Sequence, residues 1–525
     1  MKQSILSHFY LKIWAWVYAL TLLCYSPFMF NFIWGNHDWQ WVKEYTPLWS
    51  GVFEGRFSQF FVPIFLFSGV ILPVFTVMSG LALFSVAAIE ILRLWGLECR
   101  KIYYILIGLM ITTSPYTLSW FYFAFIFLSC LLWALVIVLA FTLLQNERLS
   151  KCLKISTVTL LFTLALGGYP PIINMMGVLF FTFVIYDLCF KACSPKDLII
   201  KYTPHGIAIL FSVGLLLGIQ HYLRIKGLQY DTYNTAGIDI SMIWQKLQTC
   251  FKMSLVQFYV PINFFEKSFR TVILLIVLAA LYILFIRVPK RWDYVLFLLL
   301  AIVGLLFSSE ATLFAAKNEI YVLNEPRIMF YSLPYIYAFS AVILFKFGSQ
   351  KIKNIAFVLL CWIFLYNFCT ACFCAKIWVA GFDAENYFSE RFLKRLEEKE
   401  NFFPHTRRYN FIQGGTLNFR QRYYQQRPNE IIDPYTLSAP YVPWHLPSKA
   451  YMFYYPDKFV AGDSDVYWEY IDSSVASAQT ARDYIAIQAE PWPSQTAIYA
   501  DLYHIILTLT PQGRDMGRNW LRYRR

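Results

Sequence analysis

Windows of about 20 predominantly apolar residues recur along the first three quarters of this chain. Each is long enough, as a helix, to cross about 30 Å of hydrocarbon. Within lipid a helix satisfies its N–H and C=O groups inside its own segment, so windows of this kind dictate a helical bundle. The composition agrees, with 58% hydrophobic, 20% aromatic and only 15% charged residues, far from an ordinary soluble domain. The pattern predicts a polytopic α-helical membrane protein of about eleven spans, near residues 10–33, 60–92, 103–118, 120–144, 153–167, 170–190, 203–221, 269–287, 292–309, 328–346 and 354–376.

Charge sets an orientation. Lys2 and Lys12, Arg93 to Lys101, Arg148 to Lys154, Lys191 to Lys201, Arg287 to Arg291 and Lys346 to Lys353 fall in alternate connections, while the turns near 119 and 168 carry no lysine or arginine. The positive-inside rule then predicts a cytoplasmic N-terminus and an external C-terminus, with external loops at 34–59, 222–268 and 310–327. The first apolar segment is long, aromatic and without a small-residue cleavage site, so it reads as the first span and not as a cleavable leader.

A net charge of +13 raises the question of nucleic acid. However, 27 basic and 15 acidic residues precede residue 376, against 18 and 17 beyond it, so the excess is topological and lipid-facing. No nucleic-acid partner is expected. All eleven cysteines fall at or before Cys374, which excludes a disulfide framework for the C-terminal region. Cys369, Cys372 and Cys374 sit in an apolar helix without a nearby histidine and read as packing residues, not as a metal site.

Beyond residue 376 charged residues, proline and glycine return. The stretch ERFLKRLEEKENF reads as an exposed amphipathic helix, and AYMFYY, DYIAIQA and AIYADLYHIILTLT read as strands. Residues 1–376 are therefore expected to form the transmembrane domain, and 377–525 a mixed α/β extracytoplasmic domain large enough for its own core.

The first external loop, NHDWQWVKEYTPLWSGVFEGRF, carries Asp38, Glu44, Glu54 and Arg56 between two apolar segments. Trp39, Val42, Trp49 and Phe53 recur at nearly helical spacing, which suits an interfacial helix broken at Pro47. That break would fold Asp38 toward Glu54 and Arg56. The other external loops add Tyr169 and Asn174 in GGYPPIIN, His221, Arg224, Lys226 and Asp231 in the third, and Lys317, Glu325 and Arg327 in KNEIYVLNEPRIMFY. Acids and bases gathered on one side of the bilayer suit an anionic, membrane-anchored ligand, and an arginine fork suits phosphate.

An acid soon after the first span, an aromatic interfacial stretch ending in EGRF, the GGYPP turn and NEPRIMF together resemble the multi-span GT-C glycosyltransferases, and more narrowly the GtrII-like O-antigen glucosyltransferases of enteric bacteria and their phages. The resemblance covers the topology of about 375 residues. It implies an enzyme of the bacterial inner membrane that moves a sugar, glucose in that subfamily, from undecaprenyl phosphate to a lipid-linked or lipopolysaccharide glycan on the periplasmic side. It implies that Asp38 is the catalytic base, with Glu54 and then Glu44 as the next carboxylates. Arg56, Arg327 and Arg224 are expected at the donor phosphate. Tyr169, Glu325, Tyr424 and Trp444 are expected to contact sugar or acceptor, the last two within NFRQRYYQQRPNEIIDPYTLSAPYVPWHLP. The first loop of the family often shows two adjacent acids; the single acid of HDW predicts metal independence and no cofactor. The rival reading from another class is a transporter or flippase of lipid-linked glycans, which would favour internal repeats and mid-membrane charges; no repeat is visible, and the mid-span acid, Glu90, falls near a cytoplasmic end.

Overall fold

The computed structural model describes residues 8–30, 52, 55–59, 61, 72–97, 100–146, 148–191, 193–228, 243–259, 267–312, 326–400, 410–414, 466–467, 491, 493–500 and 504–508. The chain divides into two compact units at Ala375.

The first unit is helical. In chain order it contains α1 (His8–Phe30), α2 (Pro73–Leu94), α3 (Lys101–Thr112), a 3-10 segment (Pro115–Ile126), α4 (Phe127–Leu144), α5 (Lys151–Gly168), α6 (Ile173–Phe190), α7 (Pro195–Ile225), α8 (Ile243–Tyr259), α9 (Lys267–Arg287), α10 (Trp292–Ser308), α11 (Pro326–Met329), α12 (Leu333–Phe347) and α13 (Gln350–Glu397). Local chemistry sets several boundaries. Ser150 and Ser194 cap α5 and α7 by accepting from the backbone N–H of Leu153 and Asp197, and Pro195 opens α7 where its missing N–H is harmless. Ser194 also donates to Asp197 at 2.6 Å.

Among the described residues eight helices are long and apolar enough to cross a membrane, or nine if α3 and the start of the 3-10 segment, bent by 48°, form one broken span. The sequence pattern predicts eleven, and the difference has identifiable causes. Helices α10 and α12, of 17 and 15 residues, fall short of the length a bilayer asks of an untilted helix. The expected spans 103–118 and 120–144 are interrupted by a 3-10 segment that begins at Pro115, so regular helix resumes only at Phe127. The expected 60–92 span has its described helix start at Pro73. The expected loop 222–268 contains the helix α8, and α13 runs through residue 376 without a break.

Burial sorts the helices. In α4 and the Pro170–Phe190 stretch 72% and 78% of the spanning window is buried, against 22% in α7, so the former are central and the latter peripheral. Helix α12 is buried on every side over Leu333–Phe345, as an all-round apolar helix must be.

One end of the bundle is strongly basic. Arg93 pairs with Glu90, which also accepts from Thr142 at 2.8 Å. Asp187 holds Lys191 at 2.6 Å and Tyr202 at 2.8 Å and pairs with Lys201. Lys346 donates to the Gly96 carbonyl at 2.5 Å and to the Tyr186 hydroxyl, beside the stacked rings of Phe190 and Phe347.

The second unit contains the end of α13, whose Phe388, Phe392 and Leu396 are buried at helical spacing, and a four-stranded sheet. Its strands are β1 (Asn410–Gly414), β2 (Val466–Tyr467), β3 (Ile498–Ala500) and β4 (His504–Thr508), in the order β2-β1-β4-β3. Strand β1 is parallel to β2 and β4, pairing Ile412 with Ile506, and β3 is antiparallel to β4. The expected strand in AIYADLYHIILTLT corresponds to β3 and β4; AYMFYY and DYIAIQA lie outside the described residues.

Candidate functional site

The opposite end of the first unit is assembled by long-range hydrogen bonds. Thr21 bonds to Thr112 through their hydroxyls at 2.6 Å, and the Tyr25 hydroxyl donates to the carbonyls of Thr112 and Ser114. The segment Gly55–Gln59, which begins at the glycine of EGRF, is stitched to the C-terminal end of α5: Ser58 N–H donates to Gly167 O at 3.1 Å and its hydroxyl to Leu164 O at 2.5 Å. The Gln220 amide of α7 donates to Gly55 O at 3.3 Å.

The GGYPP turn makes this packing sterically possible. A Cβ on Gly167 would overlap the Phe57 ring, and one on Gly168 would overlap the Trp133 indole. Gly167→Ala is expected to destabilise the protein by about 1–3 kcal/mol through overpacking. Thermal unfolding in detergent measures this; an unchanged midpoint would mean that the 55–59 segment yields freely.

Beside the turn lies an aromatic wall. Tyr169, the buried C-cap of α5, meets Trp120 edge-on at 4.9 Å and Tyr331 at 5.7 Å. Trp120 also contacts Phe330 and Tyr331, and the Tyr331 hydroxyl donates to Cys130 O at 3.3 Å. The Arg56 guanidinium lies over the Tyr169 ring, 5.6 Å from its centroid, within cation–π reach. Arg327, on α11, and Arg56 are both close enough to Cys130 to act on it electrostatically.

Of the other residues expected from sequence, Arg224 sits one turn beyond Gln220 on α7 and donates to the carbonyl of Gln220 itself, at the limit of hydrogen bonding, 3.5 Å. His221 is exposed on the same helix. Asn174 is buried and serves the fold: its amide donates to Ser309 O at 3.0 Å, and its oxygen accepts from the Thr312 N–H and hydroxyl, each at 2.9 Å. Asp38, Glu44, Glu54, Glu325, Tyr424 and Trp444 lie outside the described residues.

Sequence reasoning missed one residue. Glu310, in the turn after α10 that Asn174 clamps, is 0% exposed, and neither carboxyl oxygen has a hydrogen-bond partner among the described residues. Burying even a neutral polar group unpaired costs on the order of 1–3 kcal/mol in proteins, and a charge far more. Burial accordingly pushes the Glu310 carboxyl up to about 8, so it holds its proton at neutral pH. Its sequence signal is no more than an acid at the exit of an apolar run, a placement shared by many solvated acids at the headgroup level.

Among the described residues no cluster of three or more histidine, cysteine or acidic side chains is placed to hold a metal ion. The helices and their contacts define a multi-pass helical membrane protein. No family model, curated protein or solved structure matches the chain.

Proposed function

We propose that this protein is a GT-C-like, inverting glycosyltransferase that moves a sugar, glucose in our reading, from undecaprenyl phosphate to a lipid-linked or lipopolysaccharide glycan. The observation that carries the reading is Arg56 laid over Tyr169 against the Trp120, Phe330 and Tyr331 wall, at the end of the bundle opposite the basic belt. By the positive-inside rule that belt is cytoplasmic, which makes the site periplasmic in a bacterial inner membrane. The mixed α/β region beyond residue 376 is assigned to the same side, and its Tyr424 and Trp444 to the acceptor glycan.

The chemistry is one displacement. The acceptor hydroxyl oxygen attacks the anomeric carbon, its proton passes to the Asp38 carboxylate, and the bond between that carbon and the phosphate oxygen breaks with its electron pair leaving on phosphate. Arg56 and Arg327, with Arg224 as a more distant contributor, stabilise the departing charge. Glu54 and Glu325 orient these arginines or accept from sugar hydroxyls, Glu44 is the second choice as base, and Tyr169 offers its ring to the sugar. The step needs no metal.

Purified protein in proteoliposomes, supplied with undecaprenyl phosphate glucose and a lipid-linked glycan, is expected to form the glycosylated acceptor. Absence of transfer with every polyprenyl phosphate sugar, alongside movement of the lipid-linked glycan across the bilayer, would replace this reading with that of a flippase.

A further inference from the structure

Helix α10 packs mainly on α6 and α7 mainly on α5, which leaves a gap over α6 between α7 and α10. The gap is a crevice of about 290 Å³, walled by Phe180 and Phe181 of α6, Tyr202 and Gly206 of α7 and Phe297 of α10. That volume approaches the lower end of small-ligand pockets, about 300 Å³. Ile199 and Leu300, which also line it, are 58% and 60% exposed, so the crevice opens on the lipid-facing side of the bundle.

Its walls are fixed and dry. Phe181 packs against Gly304 of α10, where a Cβ would come within 2.3 Å of the ring, and Phe180 meets Tyr202 edge-on at 5.9 Å. The two polar side chains in the wall are already engaged: the Tyr202 hydroxyl donates to the Asp187 carboxylate at 2.8 Å, and Thr203 donates to the Ile199 carbonyl at 2.6 Å. What remains for an occupant is apolar surface, which favours hydrocarbon over a polar ligand. At Gly206 there is room to spare, since a Cβ there would meet nothing within 4 Å.

The rim is positive. Asp187, which Tyr202 touches, also holds Lys191 at 2.6 Å and pairs with Lys201, so one carboxylate is shared between two ammonium groups beside the crevice. The Lys201 ammonium lies 5.4 Å from the centroid of the Tyr202 ring. Lys196, exposed in the first turn of α7, adds a third cation, and Arg287, Lys290 and Arg291 precede α10 against one neighbouring acid, Asp293. Cations at the rim of an apolar slot between membrane helices match an anionic headgroup that carries an acyl chain. We propose that this crevice binds one anionic phospholipid, with an acyl chain in the slot beside Gly206 and the phosphate at Lys196 and Lys201. The assignment does not depend on the glycosyltransferase reading, whose polyprenyl donor belongs to the opposite end of the bundle.

Native mass spectrometry of the full chain in detergent, with phosphatidylglycerol or phosphatidylcholine of the same acyl chains titrated in, tests this. One phosphatidylglycerol is expected to be retained at concentrations where phosphatidylcholine is not, and to raise the unfolding midpoint by mass action. Lys196→Gln and Lys201→Gln should each weaken that retention about fivefold and leave phosphatidylcholine unchanged. Gly206→Phe, which fills the slot, should abolish retention while keeping the midpoint of the lipid-free protein. The lysine variants, placed on the rim, decide the matter independently of it. Equal retention of the two lipids by wild type would overturn the proposal, as would retention that neither Gly206→Phe nor the lysine variants change. Preferential retention of undecaprenyl phosphate would give the crevice to a prenyl carrier instead, and a dimer that Gly206→Phe dissociates would give it to a second copy of this chain; either result overturns the phospholipid.

Discussion

Asp38→Asn and Arg56→Ala, compared with wild type at equal expression, are expected to lower sugar transfer by about 10²–10⁴-fold and 10²–10³-fold respectively. The first change keeps the size of the side chain and removes its ability to take a proton. The second removes the guanidinium that lies over the Tyr169 ring. Arg56→Lys should recover little, because an ammonium cannot reproduce a bidentate fork on phosphate. Arg224→Ala should remain near wild type, since its described contact is to the carbonyl of its own helix. The two large losses should also differ in kind. Asp38→Asn should leave donor binding intact and act on turnover, while Arg56→Ala should raise the donor concentration needed as well. Full activity in Asp38→Asn would move the base to Glu44 or Glu54; full activity in Arg56→Ala would detach the aromatic wall from the donor phosphate.

The legibility of this architecture in the sequence varies with the range of the forces that set it. Helices α1, α2, α4 to α7, α9 and α13 are readable because a run of apolar residues in lipid dictates a helix whatever surrounds it. The Tyr169 turn is readable because Gly-Gly and Pro-Pro punctuate any chain. By contrast, the break between Thr112 and Phe127 lies in a run as apolar as the helices it separates, PYTLSWFYFAFI; Pro115 marks where it begins, but its extent to Ile126 goes with packing against Tyr25 and Tyr331. Helix α8 is hidden in the same way: IWQKLQTCFKMSLVQFY is amphipathic, but too polar to register as a span.

Glu310 shows the limit most clearly. Its burial follows from Asn174, which bonds a residue 135 positions away, and from Cys250, 60 positions away. No local window contains either partner. Arg56 is more legible, because the ring beneath it belongs to a turn recognisable by composition, although that turn lies in a distant segment. Spacing and charge show polar groups collecting on one side of the bilayer; which of them a ring or a clamp holds is decided by contacts between distant segments.

The clamp itself yields the second large effect. Asn174→Leu keeps the branched outline of the side chain but strands three groups: the Ser309 carbonyl, the Thr312 N–H and the Thr312 hydroxyl. Each buried group left unpaired costs about 1–3 kcal/mol, so the substitution should destabilise the protein by roughly 3–5 kcal/mol, visible as a lower unfolding midpoint in detergent. Thr312→Val removes only the hydroxyl and leaves the backbone bond to Asn174, so its loss should be near 1 kcal/mol, on the order of one hydrogen bond. The pair separates the clamp from the general effect of altering a buried site; equal losses would show that Asn174 matters for packing alone. Stability should also respond to pH through Glu310. Its folded value of about 8 lies above the ordinary 4.5, so the folded state binds the proton more tightly. The stabilisation is complete below about 4.5 and is lost as pH rises through about 8. Glu310→Gln should flatten that slope. Asn174→Leu, by letting water reach the turn, should move it to lower pH.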